Sequence, residues 1–464
     1  MIAVTGTPST LESENDTAPA RVFARPSERS VQREKPRYAW AGPLGWALLA
    51  LAGLATVASA ALGRVSVLGA VVVLVVLAGS QPVLARFARN DHGVDLESLL
   101  RVGLGLKFLA VLPRYELRQD AVDYHAVGRV LAESFRSLDF FVETGRPVPG
   151  TGSVRYATGL VHVFTFSDEF ATFALFALFG FVGVMFFVRA FVRGLPDVDP
   201  GRYAVLLLCW PSLAYWPAST GKESLMMLGL GLAAYGLARL LRGHWRSLVP
   251  LAAGLGLCAL VRPHVALIVV SAGVGAIIMN SRRSAAGGVF TRLVVIGGLV
   301  GVGTVLSDAV ERLFDVQDLN VTTVNAALDL ANHRSAQGGS SFVAARIDSI
   351  ADVPWGAVTV LLRPLPHEAT TAPGLVAAVE GIVLAVLLLG AVPRLMAAVR
   401  TLRSEAYVTY AVAFVGIFIF LFSALGNFGI LTRQRTMVTP LLLVLVALPT
   451  AYERVRRRRV GRPT

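Results

Sequence analysis

The chain has few charged residues and almost no cysteine. Of its 464 residues, 16% are charged and 55% are hydrophobic, and the mean hydropathy is +0.63. Soluble globular domains usually have about a quarter of their residues charged, so this composition excludes an ordinary soluble enzyme or binding domain. The two cysteines, Cys209 and Cys258, both lie within apolar runs, so they indicate neither a disulfide nor a cysteine metal site.

The first 38 residues lack the apolar stretch that a signal peptide requires. Residues 1–38 are polar and contain proline, serine and arginine. Such a segment cannot bury enough apolar surface to fold alone, so we expect a disordered cytoplasmic tail rather than a cleaved signal.

Apolar runs of about 20 residues fill most of the remaining chain, and this is the length that crosses the hydrocarbon core of a bilayer. The twelve runs are residues 43–62, 65–86, 97–113, 169–192, 202–218, 222–242, 247–262, 264–280, 291–307, 374–393, 405–425 and 436–451. They predict an all-α fold, a polytopic membrane helical bundle of about 12 transmembrane helices with two large extracytoplasmic loops. The lipid bilayer is therefore the first partner that the sequence implies.

Arginines recur at every second connection between these runs, for example at Arg86, Arg189, Arg239 and Arg394. By the positive-inside rule, these connections and both termini face the cytoplasm, which predicts a multi-pass protein of the inner (plasma) membrane. The net charge of +13 then reflects membrane topology and requires no nucleic-acid partner.

This orientation divides the chain into seven segments. They are a cytoplasmic tail (1–38), N-terminal spans (39–113), a first extracytoplasmic loop (114–168), central spans (169–307), a second extracytoplasmic loop (308–373), C-terminal spans (374–453) and a basic cytoplasmic tail (454–464). Within the first loop, Val127, Val130, Leu131 and Phe135 recur at helical spacing. They predict an amphipathic helix that lies in the membrane interface.

Ionisable residues collect on the predicted outer side, next to the ends of the apolar runs. They are Asp120, Asp123, Tyr124 and His125 in the first loop, Lys222, Arg262 and His264 in short turns, Arg363, His367 and Glu368 in the second loop, and Arg433 and Arg435 in the last turn. Ionisable groups persist at membrane ends where they contact charged ligands or one another. Arginine and lysine bind phosphate, and an aspartate can deprotonate a hydroxyl. The set therefore fits a substrate with a phosphate headgroup and a membrane-buried tail, such as a polyprenyl-phosphate sugar.

Several of these residues also have a purely structural interpretation. Asp120 and Asp123 have the spacing of a helix N-cap and its capping-box partner, and so do Thr220 and Glu223. Lys222 and Arg262 are compatible with cations that extend toward the membrane surface. The stretch TGKES is not a phosphate-binding P-loop, because Trp216 occupies the position of the first glycine of that motif.

The first-loop segment DAVDYHAVGRVLAE (residues 120–133) resembles the start of the first large outer loop of GT-C superfamily glycosyltransferases. It is most similar to family 39, the protein mannosyltransferases and lipid A aminoarabinose transferases, whose pattern is Asp-Glu-x-x-Tyr. Asp120 and Tyr124 match that pattern, whereas Ala121 replaces the glutamate and Asp123 offers another carboxylate nearby. The stretch at 156–173 is also similar to the family, so the resemblance covers about 118–192.

The resemblance implies that Asp120 is a catalytic base or an acceptor-binding group, with Asp123 as the second candidate. The mechanism expected is transfer of a sugar from a polyprenyl-phosphate donor to a hydroxyl of a glycan or lipid acceptor. We expect the lipid phosphate to be held by Lys222, Arg262, Arg433 and Arg435. We expect the sugar or acceptor to be positioned by Tyr124, His125, His264 and the patch of Arg363, His367 and Glu368. A divalent metal is possible, but the two carboxylates do not specify a metal site.

Two alternatives remain open from the sequence. One is a Wzy-like polysaccharide polymerase or ligase, whose site would use the arginines and histidines on a lipid diphosphate glycan. The other is a lipid-linked glycan transporter or flippase. Transporters usually carry polar residues near the middle of the membrane, and in this chain Lys107 is the main residue of that kind.

Overall fold

The computed structural model describes residues 38–89, 94–280, 296–301, 303–304, 330, 333 and 340–450, and it is all-helical. The principal helices are α1 (Ala41–Ala61), α2 (Val67–Ala88), α3 (Leu96–Glu116), α4 (Gln119–Arg136), α5 (Thr151–Phe164), α6 (Glu169–Gly194), α7 (Gly201–Leu208), α8 (Pro211–Tyr215), α9 (Lys222–Leu240), α10 (Leu248–Val261), α11 (Pro263–Met279), α12 (Val353–Leu362), α13 (Ala372–Gly390), α14 (Val392–Thr401), α15 (Ala406–Phe422) and α16 (Phe428–Ala447). Short 3₁₀ turns at Trp245–Ser247 and Ile350–Asp352 precede α10 and α12.

Five of the described helices are long and apolar enough to cross a membrane. They are α1, α2, α6, α13 and α16, and a sixth span results if α14 and α15, which meet at an angle of 114°, are counted together. The expectation of an apolar helical membrane protein is confirmed, whereas the count of about 12 spans is not.

Breaks within the apolar runs account for much of this difference. The run at 202–218 is divided into α7 and α8, because Pro211 has no backbone N–H and begins a new helix. The runs at 247–262 and 264–280 form α10 and α11, which have 14 and 17 residues and are shorter than a typical span. The run at 291–307 lies mostly outside the described residues.

The densest packing lies between α9 and its neighbours α6 and α10. Glycines allow these helices to approach closely: a Cβ atom at Gly183 would overlap the backbone of Met227, and one at Gly254 would overlap the backbone of Ala233. Small residues at such crossings are typical of helices that pack in membranes. The contact fixes the position of the first turn of α9, which forms one wall of the site.

The amphipathic helix predicted in the first loop is α4, but its buried face differs from the expected one. Leu131 and Phe135 are buried as predicted, whereas Val130 is 64% exposed. The buried face instead continues through Gly128, where a Cβ atom would overlap Thr158 of α5. Because α4 packs on α5 along this line, polar and small residues occupy part of its inner face.

The first turn of α16 is fixed by a side-chain cap and by the segment that precedes α12. The Asn427 side chain accepts a hydrogen bond from the backbone N–H of Ile430 at 3.1 Å. The backbone N–H of Phe342 donates to the carbonyl of Gly426 at 2.8 Å, and the two rings of Phe342 and Phe428 stack with centroids 4.2 Å apart. These contacts orient the polar stretch of α16 that follows.

Candidate functional site

A pocket of about 370 Å³ lies where five chain segments at helix ends meet. Its walls come from the end of α3, the start of α4, the start of α9, the connection between α10 and α11, and the second turn of α16. The lining residues are Arg114, Leu117, Arg118, Asp120, Ala121, Tyr124, Ser219, Thr220, Gly221, Lys222, Glu223, Arg262, Ile430, Arg433 and Gln434. Five of the twelve predicted site residues therefore converge here, namely Asp120, Tyr124, Lys222, Arg262 and Arg433.

Asp120 and Arg433 form the open side of the pocket. Arg433 Nη1 donates to Asp120 Oδ2 at 2.6 Å, although 313 residues separate the two in sequence. Both side chains remain accessible, at 64% and 37% exposure, and the Arg433 guanidinium lies 5.3 Å from the centroid of the Trp216 ring. The capping interpretation of Asp120 is wrong, because Arg118 is the N-cap residue of α4 and makes no side-chain cap.

A second acid–base pair is mostly buried on the opposite side. Arg262 Nη1 donates to Gln434 Oε1 at 2.7 Å, and Arg262 Nη2 lies 3.4 Å from Glu223 Oε1. The proposed capping box of Thr220 and Glu223 is therefore not formed. The N-cap residue of α9 is Gly221, and no side chain caps this end of the helix. Arg262 is not an isolated cation at the membrane surface, because its charge is matched by Glu223.

Lys222 and Thr220 differ from these pairs because they lack partners. No hydrogen bond or ion pair joins the Lys222 ammonium to any described residue, although the side chain lines the pocket. The Thr220 side chain is 2% exposed, and its hydroxyl has no hydrogen-bond partner among the described groups. A buried hydroxyl without a partner is unfavourable, and such groups are rare in folded proteins.

Two pocket arginines, Arg114 and Arg118, were missed from the sequence. Arg114 Nη2 donates to Ser219 Oγ at 3.0 Å, and its guanidinium lies 5.1 Å from the ring centroids of both Tyr215 and Trp216. Arg118 stacks on Tyr115 at 4.2 Å. The argument that singled out Arg433, a cation on the predicted outer side beside an apolar run, applies equally to this pair and would have found it.

The lining side chains give the pocket a surplus of positive charge. Its five cations are Arg114, Arg118, Lys222, Arg262 and Arg433, and its two carboxylates are Asp120 and Glu223, which leaves a formal surplus of three. Burial, with the nearby carboxylates of Glu223 and Asp120, raises the pKa of Tyr124 to about 12. The phenol therefore stays protonated, and the pocket suits an anion.

Two buried ionisable residues hold α8, the short helix that ends at Tyr215 beside Arg114. Lys107 Nζ of α3 donates to the carbonyl of Leu213 at 2.6 Å. Glu380 of α13 accepts from Trp210 Nε1 at 2.8 Å and from the backbone N–H of Ser212 at 2.9 Å. Because both hold α8, they fix the position of Tyr215 and Trp216 under the arginines. Lys107, the polar residue of the third apolar run, therefore has a structural partner.

Asp123, the second predicted acid, does not line the pocket. Arg155 of α5 donates two hydrogen bonds to the Asp123 carboxylate, from Nη2 to Oδ1 at 2.7 Å and from Nε to Oδ2 at 3.1 Å. The same guanidinium donates from Nη1 to the carbonyl of Thr144 at 2.8 Å. Asp123 thus ties α4 to α5 and to the loop between them.

His125 also lies outside the pocket, in a buried pair with His162. His125 Nδ1 and His162 Nε2 are 3.0 Å apart, and Thr172 Oγ1 lies 3.4 Å from His162 Nδ1. Burial lowers the pKa of His125 to about 3, with further lowering by His162, Arg129 and Arg118. Burial lowers the pKa of His162 to about 4, with further lowering by Arg129 and Arg136, while Asp168 opposes the shift. Both rings are therefore neutral at pH 7. Their contacts join α4 to α5 and α5 to α6.

His264 is half-buried and Arg435 is buried, and neither lines the pocket. The His264 ring lies 6.1 Å from that of Phe422. Arg435 Nε donates to the carbonyl of Val360 at 3.2 Å, and its Nη2 donates to the carbonyl of Arg363. Arg435 therefore binds the end of α12, where those carbonyls have no partner within the helix.

The predicted patch of Arg363, His367 and Glu368 forms a separate cluster, the Arg363–Glu368 patch. Arg363 Nε lies 2.9 Å from Glu368 Oε1 and 3.0 Å from Oε2, and the Leu365 N–H donates to Oε2 at 2.8 Å. The guanidinium lies 4.2 Å from the centroid of the Phe342 ring. His367 is exposed beside it. None of the three residues lines the pocket.

A second cavity, an apolar groove of about 1050 Å³, includes lining residues that are sequence neighbours of pocket residues. It is lined by residues 140–148, by the outer face of α5 and by Leu225, Leu257, Leu260 and Val261. The two cavities share the first turn of α9 and the end of α10, because Glu223 and Arg262 face the pocket whereas Leu225 and Val261 face the groove. A charged cavity and an apolar one thus adjoin across two short chain segments.

Within the described residues, no group of three or more histidine, cysteine, aspartate or glutamate side chains is arranged to hold a metal ion. No known protein family, curated protein or solved structure matches the chain. The fold and the pocket geometry therefore carry the functional argument.

Proposed function

We propose that the protein is an integral membrane glycosyltransferase that moves a sugar from a polyprenyl-phosphate donor to an acceptor hydroxyl. The reaction would take place at the extracytoplasmic face of the plasma membrane, with both termini in the cytoplasm, and would serve cell-envelope or exopolysaccharide synthesis. The similarity of residues 120–133 to GT-C glycosyltransferases of family 39 belongs to this proposal.

The observation that carries the proposal is that sequence neighbours line a cationic pocket and an apolar groove: Glu223 and Arg262 line the pocket, and Leu225 and Val261 line the groove. A polyprenyl phosphate has a charged headgroup joined directly to a long apolar chain. The pocket has a surplus of three positive charges, and the groove beside it is lined mainly by apolar side chains. A headgroup bound beside Glu223 and Arg262 would place its chain next to Leu225 and Val261.

Asp120 is the only carboxylate on the open side of the pocket among the residues that line it. In the proposed reaction, the acceptor hydroxyl attacks the anomeric carbon of the donor sugar and gives its proton to Asp120. The bond between that carbon and the phosphate oxygen breaks, and the electron pair leaves with the lipid phosphate. The pocket cations stabilise the negative charge that develops on the leaving group. Arg433 donates a hydrogen bond to the Asp120 carboxylate at 2.6 Å and so fixes its position beside the reaction.

The test is sugar transfer by purified protein in detergent, supplied with a radiolabelled polyprenyl-phosphate sugar and a range of hydroxyl acceptors. We expect Asp120→Asn to lower transfer at least about 100-fold, the range for losing a general base. Glu133→Gln, an exposed acid of the same helix, is the matched control and should leave transfer unchanged. Equal transfer by wild type and Asp120→Asn would refute the mechanism.

A Wzy-like polymerase or ligase is the second candidate, because a surplus of three positive charges also suits a lipid diphosphate. Parallel assays with lipid monophosphate sugar and lipid diphosphate oligosaccharide distinguish the two enzymes. A lipid-linked glycan transporter or flippase would consume neither donor in detergent.

A further inference from the structure

We propose that the start of α9 is the phosphate subsite of the pocket, formed by the Thr220 hydroxyl, the Lys222 ammonium, Arg114 and the first N–H groups of the helix. This inference rests on the proposed function for the identity of the lipid, but the anion subsite itself rests on geometry. The ligand class is a phosphate group esterified to an apolar chain.

The helix end itself offers free donors. Gly221 is the N-cap residue of α9, and no side chain caps it. The backbone N–H groups of Lys222 and Glu223 have no acceptor among the described residues. The first N–H groups of a helix have no partner within it, and the helix dipole makes this end positive. Phosphate groups bind at such ends for both reasons.

Thr220 supplies the independent observation that this end is built for a ligand. Its side chain is 2% exposed and lines the pocket, yet its hydroxyl has no hydrogen-bond partner within the ranges that the structure describes. A structural threonine at this depth would normally be hydrogen-bonded. A phosphate oxygen at the helix end would accept a hydrogen bond from this hydroxyl.

The unmatched charge of the pocket also lies on this side. Arg262 is matched by Glu223 and Arg433 by Asp120, at 3.4 and 2.6 Å respectively. Arg118 lies 3.6 Å from Glu169, an acid outside the pocket lining. Among the described residues, Lys222 and Arg114 thus have no carboxylate within 4 Å, and Arg114 Nε has no hydrogen-bond partner.

Lysine is also rare in this chain. Only Lys35, Lys107 and Lys222 occur, although lysine and arginine together number 43. Lys222 is therefore the one pocket cation that is a flexible point charge, because the others carry the rigid guanidinium fork. An ammonium on a flexible stem can follow a phosphate as it leaves the sugar.

The proposed base and the proposed phosphate subsite lie on different helices. The base Asp120 lies on α4 and the phosphate subsite on α9, so the sugar would occupy the space between them. Leu225 lines the groove less than one helical turn after Lys222. A lipid chain that extends from the phosphate along the first turn of α9 would reach the groove beside Leu225.

The experiment measures binding of farnesyl phosphate, farnesol and inorganic phosphate by titration calorimetry in neutral detergent. We expect wild type to bind farnesyl phosphate at least about tenfold more tightly than farnesol, as a few charge-assisted hydrogen bonds provide. Thr220→Val and Lys222→Met should each weaken farnesyl phosphate binding about tenfold or more and leave farnesol binding unchanged. Lys222→Arg should retain most of the affinity.

Arg129→Gln is the matched control, because this α4 cation pairs with Glu169 and does not line the pocket. If Thr220→Val does not fold, the comparison of Lys222→Met with Lys222→Arg remains decisive. Inorganic phosphate that binds as tightly as farnesyl phosphate would support the subsite and assign it to a soluble phosphate. Variants that are monodisperse, melt like wild type and bind farnesyl phosphate with wild-type affinity would overturn the inference.

This binding assay separates failure of the subsite from failure of the proposed function. Phosphate-dependent binding that disappears in the variants, together with no sugar transfer, would leave the subsite and reject the glycosyltransferase. Sugar transfer together with unchanged binding in the variants would reject the subsite and leave the enzyme.

Discussion

The pocket and the Arg363–Glu368 patch are both built from arginine and carboxylate beside apolar helices, but they differ in charge balance. In the patch, Arg363 meets both oxygens of Glu368 and stacks within 4.2 Å of Phe342, so one cation matches one acid. In the pocket, five cations share two carboxylates, and neither the Lys222 ammonium nor the Thr220 hydroxyl has a hydrogen-bond partner in the described part of the chain.

This difference separates a structural cluster from a candidate ligand site. A paired and hydrogen-bonded charge cluster stabilises the local fold and leaves nothing for a ligand to satisfy. Surplus charge with unsatisfied donors is costly unless a ligand completes it. The following predictions test the distinction, from the largest expected effect to the smallest.

Replacing the Lys222 ammonium by a carboxylate should lower sugar transfer more than any of the other changes. Lys222→Glu would reduce the surplus from three to one, and we expect sugar transfer to fall at least about 1000-fold, because the phosphate loses an attraction and gains a repulsion. The melting temperature should change little, since the ammonium has no partner in the free protein. A large loss of thermal stability with normal specific activity would assign Lys222 to structure instead.

Breaking the ion pair of the Arg363–Glu368 patch should instead lower stability and leave ligand binding unchanged. Glu368→Gln leaves a largely buried guanidinium without its counter-charge, and we expect the free energy of unfolding to fall by about 3 kcal/mol. The measurement is SDS titration of the folded protein in mixed micelles, with farnesyl phosphate affinity measured in parallel. Unchanged stability, or a tenfold loss of farnesyl phosphate affinity, would show that the patch is not a closed structural cluster.

Filling the apolar groove should discriminate between long and short lipid chains. Ala157 lies in the groove on α5. Ala157→Trp should raise the KM for a long-chain polyprenyl donor about tenfold, since it displaces several methylenes from apolar contact. The KM for a farnesyl donor should stay nearly constant. Equal effects on both donors would place the lipid chain elsewhere.

The His125–His162 pair, a second internally paired cluster, should have the smallest effect at neutral pH. Both pKa values, about 3 and about 4, lie below the ordinary value of 6.5, so the unfolded chain binds more protons between these limits. The stability that the pair contributes is complete above pH 6.5 and is lost as the pH falls toward 3, by about 2–3 kcal/mol per pH unit near pH 5.

The measurement for this pair is the melting temperature of the protein in detergent from pH 7 to pH 4.5. His162→Gln should be less stable at pH 7 but should show a shallower decline with falling pH. Parallel declines in wild type and variant would assign the acid sensitivity to other groups.

Part of the site could be predicted from sequence because membrane chemistry constrains where charges occur. Asp120, Lys222 and Arg433 were selected because charged groups beside apolar runs need a partner or a ligand, and all three line one pocket. Their sequence separation did not matter, because the ends of helices on one side of a bundle lie close together.

The remainder depended on packing that the sequence does not specify. Asp123 follows Asp120 by less than one helical turn, but it forms an ion pair with Arg155 of α5 and does not line the pocket. His125 and Arg435 were predicted to contact substrate, yet His125 pairs with His162 and Arg435 binds backbone carbonyls of α12. Whether a charge is free or already paired is decided by tertiary contacts.

The count of about 12 membrane-crossing helices is not confirmed, and breaks between the described helices explain part of the difference. Hydropathy counts every apolar run, but Pro211 divides one run, and the Arg262–Pro263 step separates two helices that are both short. Five or six helices have the length and composition of full spans among the described residues.

The most direct test of the central claim is photo-crosslinking with a prenyl phosphate that carries a diazirine on the isoprene unit next to the phosphate. Mass spectrometry of the purified, irradiated protein in lipid nanodiscs would locate the labelled peptides. We predict labels within residues 114–124 and 219–225, and their loss with excess unlabelled prenyl phosphate. Labels at residues 363–368, or labels spread along α1, α2 and α13 that excess ligand does not displace, would contradict the account.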